Sequence, residues 1–192
     1  ADLNKALDAM LVVYTLDEDK GRVKYGENFH SSTHFTEWHY FNAAQQDADH
    51  IHEGIGFVLQ HIKETNKYEL ALQAVDPSLT LPYWDFTIEG EAGMTIDESP
   101  IFTPEIFGDC PLAKDLDIGF SYSQDSMLDA AIPNGRWAYL KADLNTKYPT
   151  MNQSYGYLRA PWNMNPSPYI SRYTLTDYVV SLPSCTDYLD QL

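Results

Sequence analysis

A chain of 192 residues with 28 acidic and 12 basic side chains carries a formal net charge of −16, which repels phosphate backbones and anionic lipid and makes both poor partners. Hydrophobic residues at 44% and charged residues at 21% are proportions of a folded domain, so wholesale disorder is disfavoured. The longest apolar run, residues 9–14, is only six residues, far short of a bilayer span.

Taken in chain order, residues 3–14 place Leu3, Leu7, Met10 and Leu11 on one face, and with Asp2 as N-cap they predict an amphipathic helix. The charged stretch 15–27, with Gly21 and Gly26, reads as a loop. Ser31, Ser32 and Thr33 offer caps for a second helix over about 33–45, in which Phe35, Trp38, His39 and Asn42 share a face. His39 then points inward beside two aromatics, either as a hydrogen-bonded core histidine or as a functional one. Residues 47–56, DADHIHEGIG, are polar and glycine-bearing and predict a turn. A third helix follows over 57–75, with Phe57, His61, Tyr68 and Leu72 as its inner stripe; Asp76-Pro77 ends it.

Beyond LPYWDF the texture changes. Prolines and tyrosines concentrate there, and only short elements are signalled. Thr103-Pro104-Glu105 reads as a capped helix start and Asn134-Gly135 as a tight turn. Thr174 is placed to cap a short helix through Val180, stopped by Pro183. The tyrosines of 155–173 are read as packing residues before substrate-stacking ones. With no initiator Met and no signal-like segment, the sequence is expected to begin at a processed or trimmed end. Cys110 and Cys185 are compatible with a mutual disulfide, with outside partners or with free thiols. The sequon Asn152-Gln153-Ser154 is compatible with a secreted or organelle-lumen location.

All six histidines lie between positions 30 and 61, and residues 62–192 contain none. Besides His30 and His34 they are His39, His50, His52 and His61. Three imidazoles from two antiparallel helices and their connecting turn can converge on one copper or zinc ion, though a polar histidine-rich surface is the alternative. His50 is the member expected at the surface. A single such cluster holds a single metal site.

His52, His61 nine residues later, Glu69 eight further on, and then Pro82-Tyr83-Trp84-Asp85 together resemble the first copper-binding half of the tyrosinase family. This is the type 3 copper family of tyrosinases, catechol oxidases and hemocyanin-like proteins. The resemblance implies a mainly α fold, a partial tyrosinase-like helical bundle with a long loop-rich extension. Its first-copper half would be residues 1–86, and 87–192 an irregular, aromatic- and proline-rich extension of the same domain. It implies copper as cofactor, two ions in the complete site and at most one held here, with His39, His52 and His61 as ligands. Phe57 would lie beside the copper, Glu69 would accept a hydrogen bond from a ligand histidine, and Trp84 and Asp85 would close a helix–strand corner. The segment 115–192, containing GRWAYL and YGYLRAPWNMNPSPYISRY, is similar to an insertion found in some microbial eukaryotic members.

Three departures accompany the likeness. His50 stands where many members have a cysteine joined to a histidine, which makes it an alternative ligand. Gln60-His61-Ile62 lacks the arginine that usually follows the third ligand. The family's second copper half is absent, so it is expected from a missing C-terminal segment or a separate chain. The activity implied is oxidation of phenols or catechols with dioxygen. A catalytically silent structural subunit of an assembly and a dioxygen carrier are the alternatives.

Overall fold

A computed structural model describes residues 2–43, 49–52, 54–95, 98–109, 132–140 and 182–189. These residues are helices and turns with no strand, the mainly α architecture expected. They fall into two compact units, one ending at Pro82 and the other beginning at Tyr83.

The first unit is built from α1 (Asp2–Thr15), α2 (Glu18–Tyr25), α3 (Ser32–Ala43) and α4 (Gly56–Val75). In α1, Asp2 lies within the first turn, where its charge favours the helix dipole, rather than preceding it as a cap. The buried positions are Ala6, Leu7, Ala9 and Val13, while Leu3 is exposed. The inner face is thus rotated from the expected one. Two alanines let α1 approach α3 and α4 closely, which a row of leucines would prevent. Ala6, Ala9 and Val13 join Phe29, Phe35, Ala71, Leu72 and Leu79 in one core cluster. Fully burying a side chain such as Leu72 or Phe29 contributes about 1.5–3 kcal/mol.

The stretch expected as a loop over 15–27 contains α2. The Asp17 carboxylate accepts the backbone N–H groups of Asp19 and Lys20, acids occupy the first turn, and Arg22 and Lys24 the last. Gly21 is there because the Phe29 ring lies against it: a Cβ would fall 1.9 Å from that ring. Gly26, at φ 92°, ends the helix.

Ser31 caps α3 through its Oγ, which accepts from the His34 N–H at 3.3 Å. Phe35 is buried edge-on to Tyr68, with ring centroids 5.4 Å apart, and this contact joins α3 to α4. In the expected turn, Ile51 is completely buried and anchors the chain, while Gly54 at φ 64° turns it into α4. The inner stripe of α4 holds only in its second half. Leu72 is buried and Tyr68 partly buried, but Phe57, Val58, Leu59 and Ile62 are exposed among the described residues. Asp76 is extended and accepts from both the N–H and the hydroxyl of Ser78, which closes the helix at the Asp-Pro pair.

In the second unit the aromatic corner leads into a helix, α5 (Phe86–Glu91), rather than a strand. Trp84 Nε1 donates to the buried Glu89 at 2.8 Å, and Ser99 Oγ donates to the other oxygen of that carboxylate at 2.9 Å. Spending Trp84 and Glu89 on each other favours a helical turn between them. Gly90 lies against the Pro183 backbone at the start of α6 (Cys185–Leu189), where a Cβ would be 2.2 Å from the carbonyl oxygen. Thr103-Pro104 starts a single turn and no helix: the Thr103 carbonyl takes both Ile106 and Gly108 N–H groups, and Gly108 at φ 79° redirects the chain. Asn134 exchanges two side-chain hydrogen bonds with Asp109 beside the expected turn at Gly135. Trp137 is buried and donates to the Ile106 carbonyl. Cys185 is exposed. Cys110, the sequon, the tyrosines of 155–173 and the expected helix over 174–180 lie outside the described residues.

Candidate metal centre

His39 projects from the middle of α3, His52 from the turn and His61 from the second turn of α4. One nitrogen from each lies within 4.8 Å of the others. The ring centroids are 4.9 Å apart for His39 and His52, 5.7 Å for His39 and His61, and 5.6 Å for His52 and His61. Metal–imidazole bonds are about 2.0–2.1 Å long, so small side-chain rotations suffice to bring three donors around one ion.

Two of the rings are turned by identifiable acceptors. His61 Nδ1 is 2.7 Å from the Phe57 carbonyl oxygen, which can only accept, so the proton sits on Nδ1 and the lone pair of the neutral ring on Nε2. His52 Nδ1 is 2.7 Å from Asp49 Oδ2, while Asp49 Oδ1 accepts the N–H groups of Ile51 and His52. The hydrogen bond from the His52 N–H, helped by that of Ile51 and by the His52 ring, holds the Asp49 carboxyl at about 2. It is therefore an ionised acceptor at neutral pH, and His52 too presents Nε2. This is the tautomer control that metal-binding histidines use.

His39 is governed by burial, which lowers its pKa, as do His52 and His61 beside it. It stays neutral at pH 7. Its Nδ1 is buried and has no hydrogen-bond partner among the described residues. An unmade bond at a buried polar atom costs about 1–3 kcal/mol, which a ligand taken up at this ring would offset. The donor set, three imidazoles with two of them oriented through Nδ1, fits copper or zinc.

His50, Phe57 and Glu69 complete the expected set. His50 is exposed and outside the three-ring group, its backbone N–H bonded to the Asn42 carbonyl. The Phe57 ring lies tilted against His61, with centroids 4.7 Å apart and planes at 50°, and its carbonyl orients the imidazole. Glu69 reaches no histidine among the described residues. Its carboxylate accepts the Leu81 N–H at 2.9 Å and so holds the chain that returns from α4. The expected acceptor role falls instead to Asp49, which was legible as an Asx turn three residues before His52. Glu64, one turn after His61, was also missed. Burial pushes its carboxyl up, while His61 and His52 draw it back.

Fold and site define a class: a helical domain with three imidazoles gathered at metal-site distances. The family model described as the common central domain of tyrosinase matches residues 27–169, and the chain belongs to the tyrosinase family. It is also 41% identical over 58 residues to grixazone synthase of Streptomyces griseus subsp. griseus, across 30% of this chain. The chain spans 17% of that relative's length. No helix among the described residues is long and apolar enough to cross a membrane.

Proposed function

We propose that His39, His52 and His61 hold one copper ion of a type 3 copper centre that oxidises phenols or catechols with dioxygen. The observation that carries the reading is the convergence of the three imidazole nitrogens within 4.8 Å, in a member of the tyrosinase family. Copper would supply dioxygen binding and the electron transfer. Two catechols give up four electrons and four protons to one dioxygen, leaving two quinones and two waters. This chain's residues keep the imidazoles aimed: Asp49 orients His52, the Phe57 carbonyl orients His61, and burial keeps His39 neutral.

The second copper must find its ligands elsewhere, because residues 62–192 contain no histidine. A further segment or a separate chain supplies them in this reading. Phe57, Val58, Leu59 and Ile62 on the first turns of α4 are exposed beside His61, an apolar surface of the kind a covering partner buries. The missing histidines equally favour a silent structural subunit.

Copper stoichiometry with dioxygen and a catechol separates these readings. Two coppers per complete assembly with quinone formation is the expected result. Two coppers with reversible dioxygen uptake and no turnover identify a carrier, and a purified assembly that retains no copper overturns the reading in favour of the structural one.

A further inference from the structure

We propose that Glu18, His30 and His34 form a second metal site, distinct from the three-imidazole group, that takes a borderline divalent cation of the zinc type and ties α2 to the start of α3. One donor atom from each of the three lies within 4.8 Å of the others, and all three residues are half-buried. Glu18 Oε1 is 2.9 Å from His30 Nδ1 and 4.0 Å from His34 Nδ1. The two rings are stacked, with centroids 4.0 Å apart and planes 18° from parallel, so their Nδ1 edges face the same carboxylate oxygen.

The surrounding backbone holds this arrangement in place. Glu18 Oε2 accepts the Ser31 N–H at 2.6 Å, which leaves Oε1 directed at the imidazoles. Ser31 Oγ in turn accepts the His34 N–H, fixing the turn that carries both rings.

Hydrogen bonding alone accounts for only part of the cluster. His30 can donate to Glu18, but among the described residues the His34 ring has no hydrogen-bond partner, its Nδ1 being 4.0 Å from the carboxylate. A cation between the two Nδ1 edges and Oε1 would give both rings a partner. Asp17, Asp19 and Glu37 line the same cleft and add negative potential toward a cation.

The donor set decides the metal class. Two imidazoles with one carboxylate suit zinc and its first-row neighbours. Calcium and magnesium call for oxygen ligands throughout. The arrangement leaves room in the coordination shell for water from the open cleft.

The test uses the full-length protein, stripped of metal and carrying His61→Ala so that the other group is disabled. Zinc chloride is titrated calorimetrically, with far-UV circular dichroism as the folding control. One Zn2+ per chain is expected, with a higher Tm in zinc. Adding His34→Ala or Glu18→Gln to that background should weaken binding by about 100-fold or more, the loss expected on removing a ligand. Cobalt titrated in place of zinc should give visible bands of a nitrogen- and oxygen-ligated ion, absent in the double variants. No zinc binding by folded His61→Ala protein, or equal binding with and without His34→Ala, overturns the proposal.

Discussion

Two groups of three donors, both spanning no more than 4.8 Å, are carried by the first 61 residues, and they are built on opposite plans. In the group of His39, His52 and His61, the acceptors that turn the rings stand outside the cluster. Asp49 and the Phe57 carbonyl hold Nδ1 of two rings, so Nε2 of each is left for a cation. In the group of Glu18, His30 and His34, the acceptor is itself a member, and a cation must displace the proton shared between Glu18 and His30. A site whose tautomers are set from outside binds more tightly and at lower pH than one that first has to break an internal hydrogen bond.

The largest effect expected is from His61→Ala, which should lower copper affinity at the three-imidazole group by more than about 100-fold. His50→Ala should leave that affinity nearly unchanged, because His50 is exposed and outside the group. Competition titration with a copper chelator measures both, and equal losses would show that the wrong rings have been paired. Next, Asp49→Ala should cost about 10–100-fold in copper affinity by releasing the His52 tautomer, with zinc binding at the Glu18 group untouched.

Gly21→Ala sharpens the contrast from the other side. The new Cβ overlaps the Phe29 ring, next in sequence to His30. Denaturant unfolding should register a loss of about 1–3 kcal/mol from overpacking, and zinc binding should suffer more than copper binding. Glu69→Gln should cost about 1 kcal/mol by weakening the bond to the Leu81 N–H, with copper affinity unchanged. A large copper effect there would restore Glu69 to the metal centre.

The smallest effect concerns pH. Burial raises the Glu18 pKa, but the Ser31 N–H and His30 outweigh it and the net shift is downward. A carboxylate with a folded pKa below its unfolded value stabilises the fold above about 4.5 and loses that contribution as pH falls through the folded value. Urea midpoints measured from pH 6 downward should therefore fall below pH 4.5, and less steeply in Glu18→Gln.

Much of the site was legible because its signals are local. The nine-residue step from His52 to His61, the polar turn before α4 and the Asp76-Pro77 stop each depend on near neighbours in the chain. Periodicity placed His39 on the same face as Phe35, whose contact with Tyr68 helps join α3 to α4. Local signals also existed for α2, where Asp17 caps and the charges follow the helix dipole, but two glycines were read as loop-formers. Gly21 is explained only by the distant Phe29 ring.

The sequence by itself determined the mainly α class and the family, and put His39, His52 and His61 forward as one group, because helical period and ligand spacing are properties of a short length of chain. Tertiary structure decided the partners. It turned α1 onto its alanines, gave Glu69 to Leu81, set the His52 and His61 tautomers through Asp49 and the Phe57 carbonyl, and stacked His30 on His34 beside Glu18. Those choices rest on which groups are desolvated together and which acceptor lies within about 3 Å, and neither is encoded in spacing along the chain.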